Sequence, residues 1–167
     1  MYNQLAKLGL IYFTFKGIKI YLDKDNKQTK QLVGLPVGWQ HLTLENFHTQ
    51  CKSNHNGIAV LTGALSNVTV VDFDTIDSYK ECIQKYPELK SYKTVSTRKG
   101  YHIYFKYDKS ILTTTGIMNS IDIRNDGGMV IAPPTKYFGL NKETFRYIDL
   151  GGEIKEFPIE FKQDLLN

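Results

Sequence analysis

Val70-Val71-Asp72-Phe73-Asp74 is the stretch from which the rest of the chain can be read. Val68-Thr69-Val70-Val71 is apolar and β-branched, so it predicts a buried strand. Alternate residues of a strand face the same way. Asp72 and Asp74 therefore share one side at the strand's end, while Phe73 points into packing on the other. Two carboxylates held side by side repel each other unless a cation lies between them. Oxygen-only donors of this kind suit Mg²⁺ or Mn²⁺, which take a few carboxylates together with substrate phosphates. The pattern points to metal-assisted phosphoryl chemistry. A plainer reading stands beside it: a strand that ends in a polar turn, with Asp74 or Thr75 capping the following helix. The buried run before the pair favours the first reading, because it delivers both acids to the rim of a core.

Two further signatures lie downstream. In Ser96-Thr97-Arg98-Lys99-Gly100-Tyr101-His102-Ile103-Tyr104-Phe105, a strand alternates His102, Tyr104 and Lys106 against Ile103, Phe105 and Tyr107. His102 and Lys106 are expected to reach one phosphate group, with Arg98 and Lys99 as further cationic donors. Gly100 is expected to let the backbone approach a ligand closely. The plainer alternatives are a core histidine and a solvated Arg-Lys turn. The third signature, Ile121-Asp122-Ile123-Arg124, follows fifty residues after Asp72. Asp122 sits between two isoleucines and needs a cation partner, either a metal or an arginine. Asp126-Gly127-Gly128 reads as turn chemistry rather than a ligand, and Pro133-Pro134 stops the strand that follows.

Around these signatures the texture is that of an α+β domain with mostly antiparallel strands. Short strands are expected at Ile18 to Leu22, Tyr92 to Ser96, Tyr101 to Tyr107, Ser120 to Arg124, Met129 to Ala132 and Thr144 to Ile148. Gly57 to Leu61 and Val68 to Val71 suggest a hairpin ending at the acidic pair. Helices are expected at Asn3 to Leu10, from Thr43 as N-cap through Leu44, Phe47 and Cys51, and at Thr75 to Lys85 before Pro87. Asp23 to Lys30 reads as a polar, lysine-rich loop.

The bulk numbers fit one domain over residues 1–167. The chain has 167 residues, 41% hydrophobic and 23% charged, enough for a real core. A net charge of +4 and a sequence pI of about 8.9 are compatible with a nucleic-acid partner without establishing one. No run approaches the roughly 18 apolar residues of a membrane span, and Met1-Tyr2-Asn3-Gln4 does not begin a secretory signal. With two cysteines, Cys51 and Cys82, an intracellular, reduced setting is expected. His41, His48, Cys51 and His55 match no zinc spacing, so exposed histidines on a polar helix are the preferred reading.

The order and spacing of the three signatures resemble the prim-pol domain of the archaeo-eukaryotic primase superfamily, found in plasmid and viral replication proteins and often fused to a helicase. That family shows a Gly-rich hairpin leading to an acidic pair, then a histidine motif, then a third acid followed by glycines and Pro-Pro. Here these are Gly57 to Gly63 with Asp72 and Asp74, then Ser96 to Phe105, then Asp122 to Gly128 with Ala132-Pro133-Pro134-Thr135. Gly38-Trp39 and Thr43 are similar to its N-terminal portion, and the likeness spans about residues 30 to 148. Lys99 departs from the small residue often found there. Lys30-Gln31-Leu32 only loosely fits the basic N-terminal patch, and the cysteines of a zinc stem are lacking.

The resemblance implies an RRM-like catalytic sheet with flanking helices and a template-directed DNA primase/polymerase. It implies Asp72, Asp74 and Asp122 as catalytic ligands of two Mg²⁺ or Mn²⁺ ions, His102 on the nucleotide's triphosphate, and Arg98, Lys99 and Arg124 as helpers. Partners would be single-stranded DNA template, primer and (d)NTPs, with any helicase lying beyond Asn167. The basic loop Asp23 to Lys30 and exposed tyrosines would track the template. A metal-dependent nuclease is the nearest enzyme rival. A non-catalytic nucleic-acid-binding module is the other, though polyanion binding gains nothing from three carboxylates.

Overall fold

The acidic pair ends the inner strand of a six-stranded sheet. The computed structural model describes residues 3–118 and 120–167. Its helices are α1 (Asn3–Lys7), α2 (Ile76–Lys85) and α3 (Ile159–Leu166). Its strands begin with β1 (Tyr12–Phe15), β2 (Gly17–Leu22), β3 (Gln28–Val33), β4 (Gly57–Leu61) and β5 (Val68–Phe73). They continue with β6 (Lys93–Ser96), β7 (Tyr101–Lys106), β8 (Thr114–Ile117) and β9 (Ile121–Arg124). The last are β10 (Met129–Ile131), β11 (Lys136–Phe138), β12 (Thr144–Arg146) and β13 (Ile148–Asp149).

The large sheet has the order β13-β6-β7-β5-β9-β8, and every pairing in it is antiparallel. A three-stranded sheet, β1-β4-β10, and two ribbons, β2-β3 and β11-β12, complete an α+β architecture. Among the described residues no helix is long and apolar enough to cross a membrane.

The alternation along β5 separates two cores. Val71 and Phe73 face α2 and α3, where they join Ile103, Phe105, Ile121, Ile123, Leu89 and Phe161. Val68 and Val70 face the other way and pack with Phe13, Phe15, Ala59, Val60 and Val130 of the small sheet. Each fully buried side chain of this size contributes about 1.5–3 kcal/mol. The large sheet is thus covered by helices on one face and by the small sheet on the other, and Asp72 emerges on the second face beyond Val70.

Asn125 pins the strand end that follows the third signature. It is wholly buried, accepts from Thr69 Oγ1 at 2.9 Å and donates to the Asp108 carbonyl at 2.9 Å. Asn125→Ala is expected to strand those partners and cost about 1–3 kcal/mol, lowering the thermal midpoint by several degrees in a scanning-calorimetry comparison.

Several expectations need correction. Gly57–Leu61 and Val68–Val71 do not form a hairpin: β4 pairs with β1 and β10, and β5 with β7 and β9. Backbone pairing joins the two stretches at the bridge Gly63↔Val68, where the chain passes from one sheet to the other. Both strands are buried on both faces, so each takes neighbours on its two edges and adjacency in sequence does not decide the pairing. Gly63 adopts φ +91 there, and a Cβ would lie 2.4 Å from Asp126 Oδ1. Part of the polar loop is strand: Asp23 Oδ1 accepts from the backbone N–H of Asp25 and Lys27, both at 2.9 Å, and the closed turn lets Gln28 to Lys30 pair in β3.

The helix expected from Thr43 shrinks to a 3₁₀ turn, Phe47–Gln50. Asn46 Oδ1 takes the Thr43 N–H at 2.8 Å, a local bond that competes with helix formation. Within this segment His55 Nδ1 lies 2.8 Å from Thr14 Oγ1, and the Cys51 thiol points to the Phe47 carbonyl. α1 is shorter than the Asn3 to Leu10 expected, while α2 runs from Thr75 as N-cap, whose Oγ1 accepts from Ser78 N at 3.1 Å.

Candidate active site

Strand register assembles the centre. Asp72 pairs with His102 of β7 on one side and with Asp122 of β9 on the other, so the three lie in one row across the sheet. Directly paired residues point to the same face, which makes His102, Asp72 and Asp122 neighbours although fifty residues separate the two acids. Asp74 is two residues past Asp72 and on the same side. Its backbone N–H donates to the Ser120 carbonyl at 2.8 Å, which ties the end of β5 to the entrance of β9. One carboxylate oxygen from each of Asp72, Asp74 and Asp122 lies within 4.8 Å of the others. This is the sole group of three or more such metal-capable side chains among the described residues.

The charges are unequally balanced. Burial drives the Asp72 carboxyl upward, but His102, whose Nε2 lies 3.3 Å from Asp72 Oδ1, and beyond it Arg124 and Lys30, outweigh this and leave it below its usual range. Asp122 Oδ2 accepts from Arg124 Nη2 at 3.0 Å. Asp74 has no such direct partner among the described residues: burial, then Asp72 and Asp122, outweigh Arg124 and His102 and push its carboxyl above the usual range. Three oxygen donors with one left under-compensated are what a hard divalent cation would complete, so the residues present fit an Mg²⁺- or Mn²⁺-type centre.

Beside the acids lies a cavity of about 440 Å³ that takes in Asp72, Asp74, His102, Arg98 and Lys99. Arg98 is held ready: its Nη2 donates to Gln28 Oε1 at 2.8 Å and its guanidinium sits 4.3 Å from the centre of the Phe145 ring. Lys99 is exposed at the rim. His102 is nearly buried, and its Nδ1 is the one buried side-chain polar atom without a hydrogen bond among the described residues. Buried polar atoms are rarely left so.

Two sequence expectations fail here. Lys106 sits four residues along β7, pairs with Val68, and its Nζ donates to Glu156 at 2.8 Å, away from the cavity. Gly100 approaches the chain's own backbone, not a ligand; a Cβ there would lie 1.8 Å from the Phe73 carbonyl oxygen.

Gln28 and Lys30, expected in a template-tracking loop, and Tyr147, given no role in the sequence, line this cavity. Gln28 and Lys30 are alternate residues of β3, and Lys30 Nζ donates to Tyr147 OH at 3.1 Å. Tyr147 is buried with its ring 6.1 Å from that of His102. Burial and Asp72 push its phenol upward, which keeps it a neutral hydroxyl. Lys30 had a signal in the Lys30-Gln31-Leu32 patch. Tyr147 had none, because its place depends on how the β11-β12 ribbon folds back.

An antiparallel sheet that carries three clustered acids, a histidine and a basic cavity on one face has the donor set of a metal-dependent enzyme acting on phosphates. The chain belongs to the Prim-Pol family, bifunctional DNA primase/polymerase, N-terminal, whose family model matches residues 23–158. No match was found among curated proteins. Membership indicates DNA primase/polymerase activity, with DNA template and nucleotides as substrates. The match contains every residue of the centre and of the cavity.

Proposed function

We propose that the chain catalyses template-directed nucleotidyl transfer to a 3′-hydroxyl in DNA replication, with Asp72, Asp74 and Asp122 as the ligands of two divalent cations. The observation that carries this reading is the row His102–Asp72–Asp122 with Asp74 just beyond it. Bound there, Mg²⁺ or Mn²⁺ would supply activation of the 3′-hydroxyl and charge stabilisation at the leaving pyrophosphate. Asp72, next in register to Asp122 and two residues from Asp74, would hold metal together with both. Arg98 is preorganised by Gln28 and Phe145 and presents a planar donor to the incoming triphosphate. Lys99 adds charge at the rim, and Lys30, reaching in from β3, adds it from the opposite wall. His102, with one nitrogen against Asp72 and the other uncommitted, is suited to meet a phosphate oxygen next to the acids.

The core supports treating residues 1–167 as one catalytic domain, because the first hydrophobic cluster joins Leu5 and Leu10 to Val130 and Tyr147. The test is incubation with single-stranded template, labelled dNTPs or NTPs, and Mg²⁺ or Mn²⁺, with and without a primer. Incorporation that Asp122→Ala abolishes is expected. Degradation of the template without incorporation would replace this reading with a nuclease, and template binding without either reaction with a binding module. Lys30→Ala is expected to raise the apparent KM for nucleotide about two- to fivefold in steady-state extension while leaving kcat within a factor of about two, the scale of one exposed cationic contact.

A further inference from the structure

The third aspartate of this centre is already engaged. Asp122 Oδ2 accepts from Arg124 Nη2 at 3.0 Å, and Oδ1 accepts from the Gly116 backbone N–H at 2.7 Å. The acid's side chain is only 14% exposed and the guanidinium's 32%, so water screens the pair weakly. Asp122 and Arg124 are alternate residues of β9 and share the site face. Arg124 pairs with Val70, one step down the sheet from Asp72. It also borders a second, smaller cavity of about 150 Å³, which it shares with Lys30, Asp72, His102 and Tyr147. One guanidinium therefore touches an acid of the centre and opens onto the space that runs to the other cationic side chains.

We propose that Arg124 is an exchangeable counter-ion: it holds the Asp122 carboxylate in the metal-free protein, yields it on metal uptake, and then turns to the polyphosphate of the incoming nucleotide. Three carboxylates within 4.8 Å need compensation before any metal arrives. His102 supplies it for Asp72 and Arg124 for Asp122. A guanidinium and a divalent cation compete for the same carboxylate charge, so the pair that stabilises the empty centre opposes its filling. Once Asp122 is neutralised, the guanidinium next to it gains more from a bidentate polyanion than from the acid. The Gly116 N–H remains on Asp122 throughout and keeps the carboxylate aimed. The same side chain would thereby link metal uptake to nucleotide uptake.

The inference rests on the aspartates being metal ligands, and the experiment separates the two. Mn²⁺ binding in the absence of nucleotide is followed by the electron paramagnetic resonance signal of the free ion. It is measured for the wild-type chain, Arg124→Gln, Arg124→Lys and Asp122→Asn. Arg124→Gln is expected to bind Mn²⁺ roughly fivefold more tightly than wild type, the scale of one partly buried ion pair removed from competition. Arg124→Lys, which keeps a cation, should lie between them. In saturating Mn²⁺ the order should reverse for nucleotide, with Arg124→Gln binding it about tenfold more weakly. Misfolding cannot mimic tighter metal binding. Unchanged or weaker Mn²⁺ binding by Arg124→Gln, or an Arg124→Lys that behaves like it, overturns the exchange while leaving the metal centre standing. Wild-type Mn²⁺ binding no stronger than that of Asp122→Asn overturns both.

Discussion

Asp72→Asn is expected to lower primer extension by roughly 10³-fold or more, the loss typical of removing a group that stabilises charge in the transition state. The position argues for so large an effect. Asp72 is flanked in register by His102 and by Asp122 and lies two residues from Asp74, so it adjoins every other member of the centre. Its carboxylate is held below the usual range against the pull of burial, chiefly by His102, which favours the ionised form a metal needs. Asparagine keeps the shape and removes the charge. The fold should survive the change, because Asp72 lies outside both hydrophobic clusters. Removal of one like charge beside Asp74 and Asp122 relieves repulsion in the metal-free protein and offsets part of the lost pairing with His102. The thermal midpoint without metal should therefore stay within about 3 °C of wild type. Added Mn²⁺ should raise that midpoint in wild type and not in the variant, by the linkage between binding and stability. Extension by Asp72→Asn within tenfold of wild type, measured with labelled primer and gel separation, would remove this residue from the centre.

Much of this was legible in the sequence because it depended on local pattern. A strand buried on both faces followed by two acids at i and i+2 fixes which side the carboxylates share, and the Ile-Asp-Ile alternation does the same for Asp122. The turn after Asp74 is also local, because Thr75 caps α2 through its own hydroxyl, whereas Asp126 accepts from Ala64 N and Tyr107 OH, both distant in sequence. That Asp72 and Asp122 then become paired neighbours is a matter of register, which the two patterns allow and do not dictate.

What escaped was everything decided by pairing at long range. β4 and β5 look like two arms of a hairpin, yet their continuous burial sends them to different sheets. β3 looks like a solvated loop, because Gln28, Lys30 and Gln31 give it no apolar alternation to read. That same ribbon brings Gln28 to Arg98 and Lys30 to Tyr147. Lys106 shows the converse error: the alternation correctly puts it on the face of His102, but two strand periods carry it beyond the reach of any shared phosphate. Face is written in sequence, whereas distance along and across the sheet is set by the partner strands.

His102→Ala is expected to weaken nucleotide binding by about one to two orders of magnitude and to move the acid limb of metal binding to higher pH. The two effects come from its two nitrogens. The one facing Asp72 is the main counterweight to the burial of that carboxylate, ahead of Arg124 and Lys30. Without it burial dominates, and the Asp72 carboxyl rises from its lowered position. The sign follows from competition: a proton and a divalent cation claim the same oxygen, so a higher carboxyl pKa means that metal binding is lost earlier as pH falls. In wild type the lowered carboxyl also stabilises the fold above the unfolded-state pKa, a contribution lost as pH falls through the folded value. The variant should therefore lose acid resistance in a pH-dependent unfolding series, while its stability at neutral pH carries a separate cost for the space the buried ring leaves. The second nitrogen, Nδ1, has no hydrogen-bond partner among the described residues, and its contribution would be felt only when nucleotide is present. His102→Gln, which keeps a polar group of similar reach, should recover part of the nucleotide affinity and little of the acid limb. An apparent nucleotide Kd unchanged in His102→Ala, with the acid limb of Mn²⁺ binding also unmoved, would return His102 to the role of a buried strand residue.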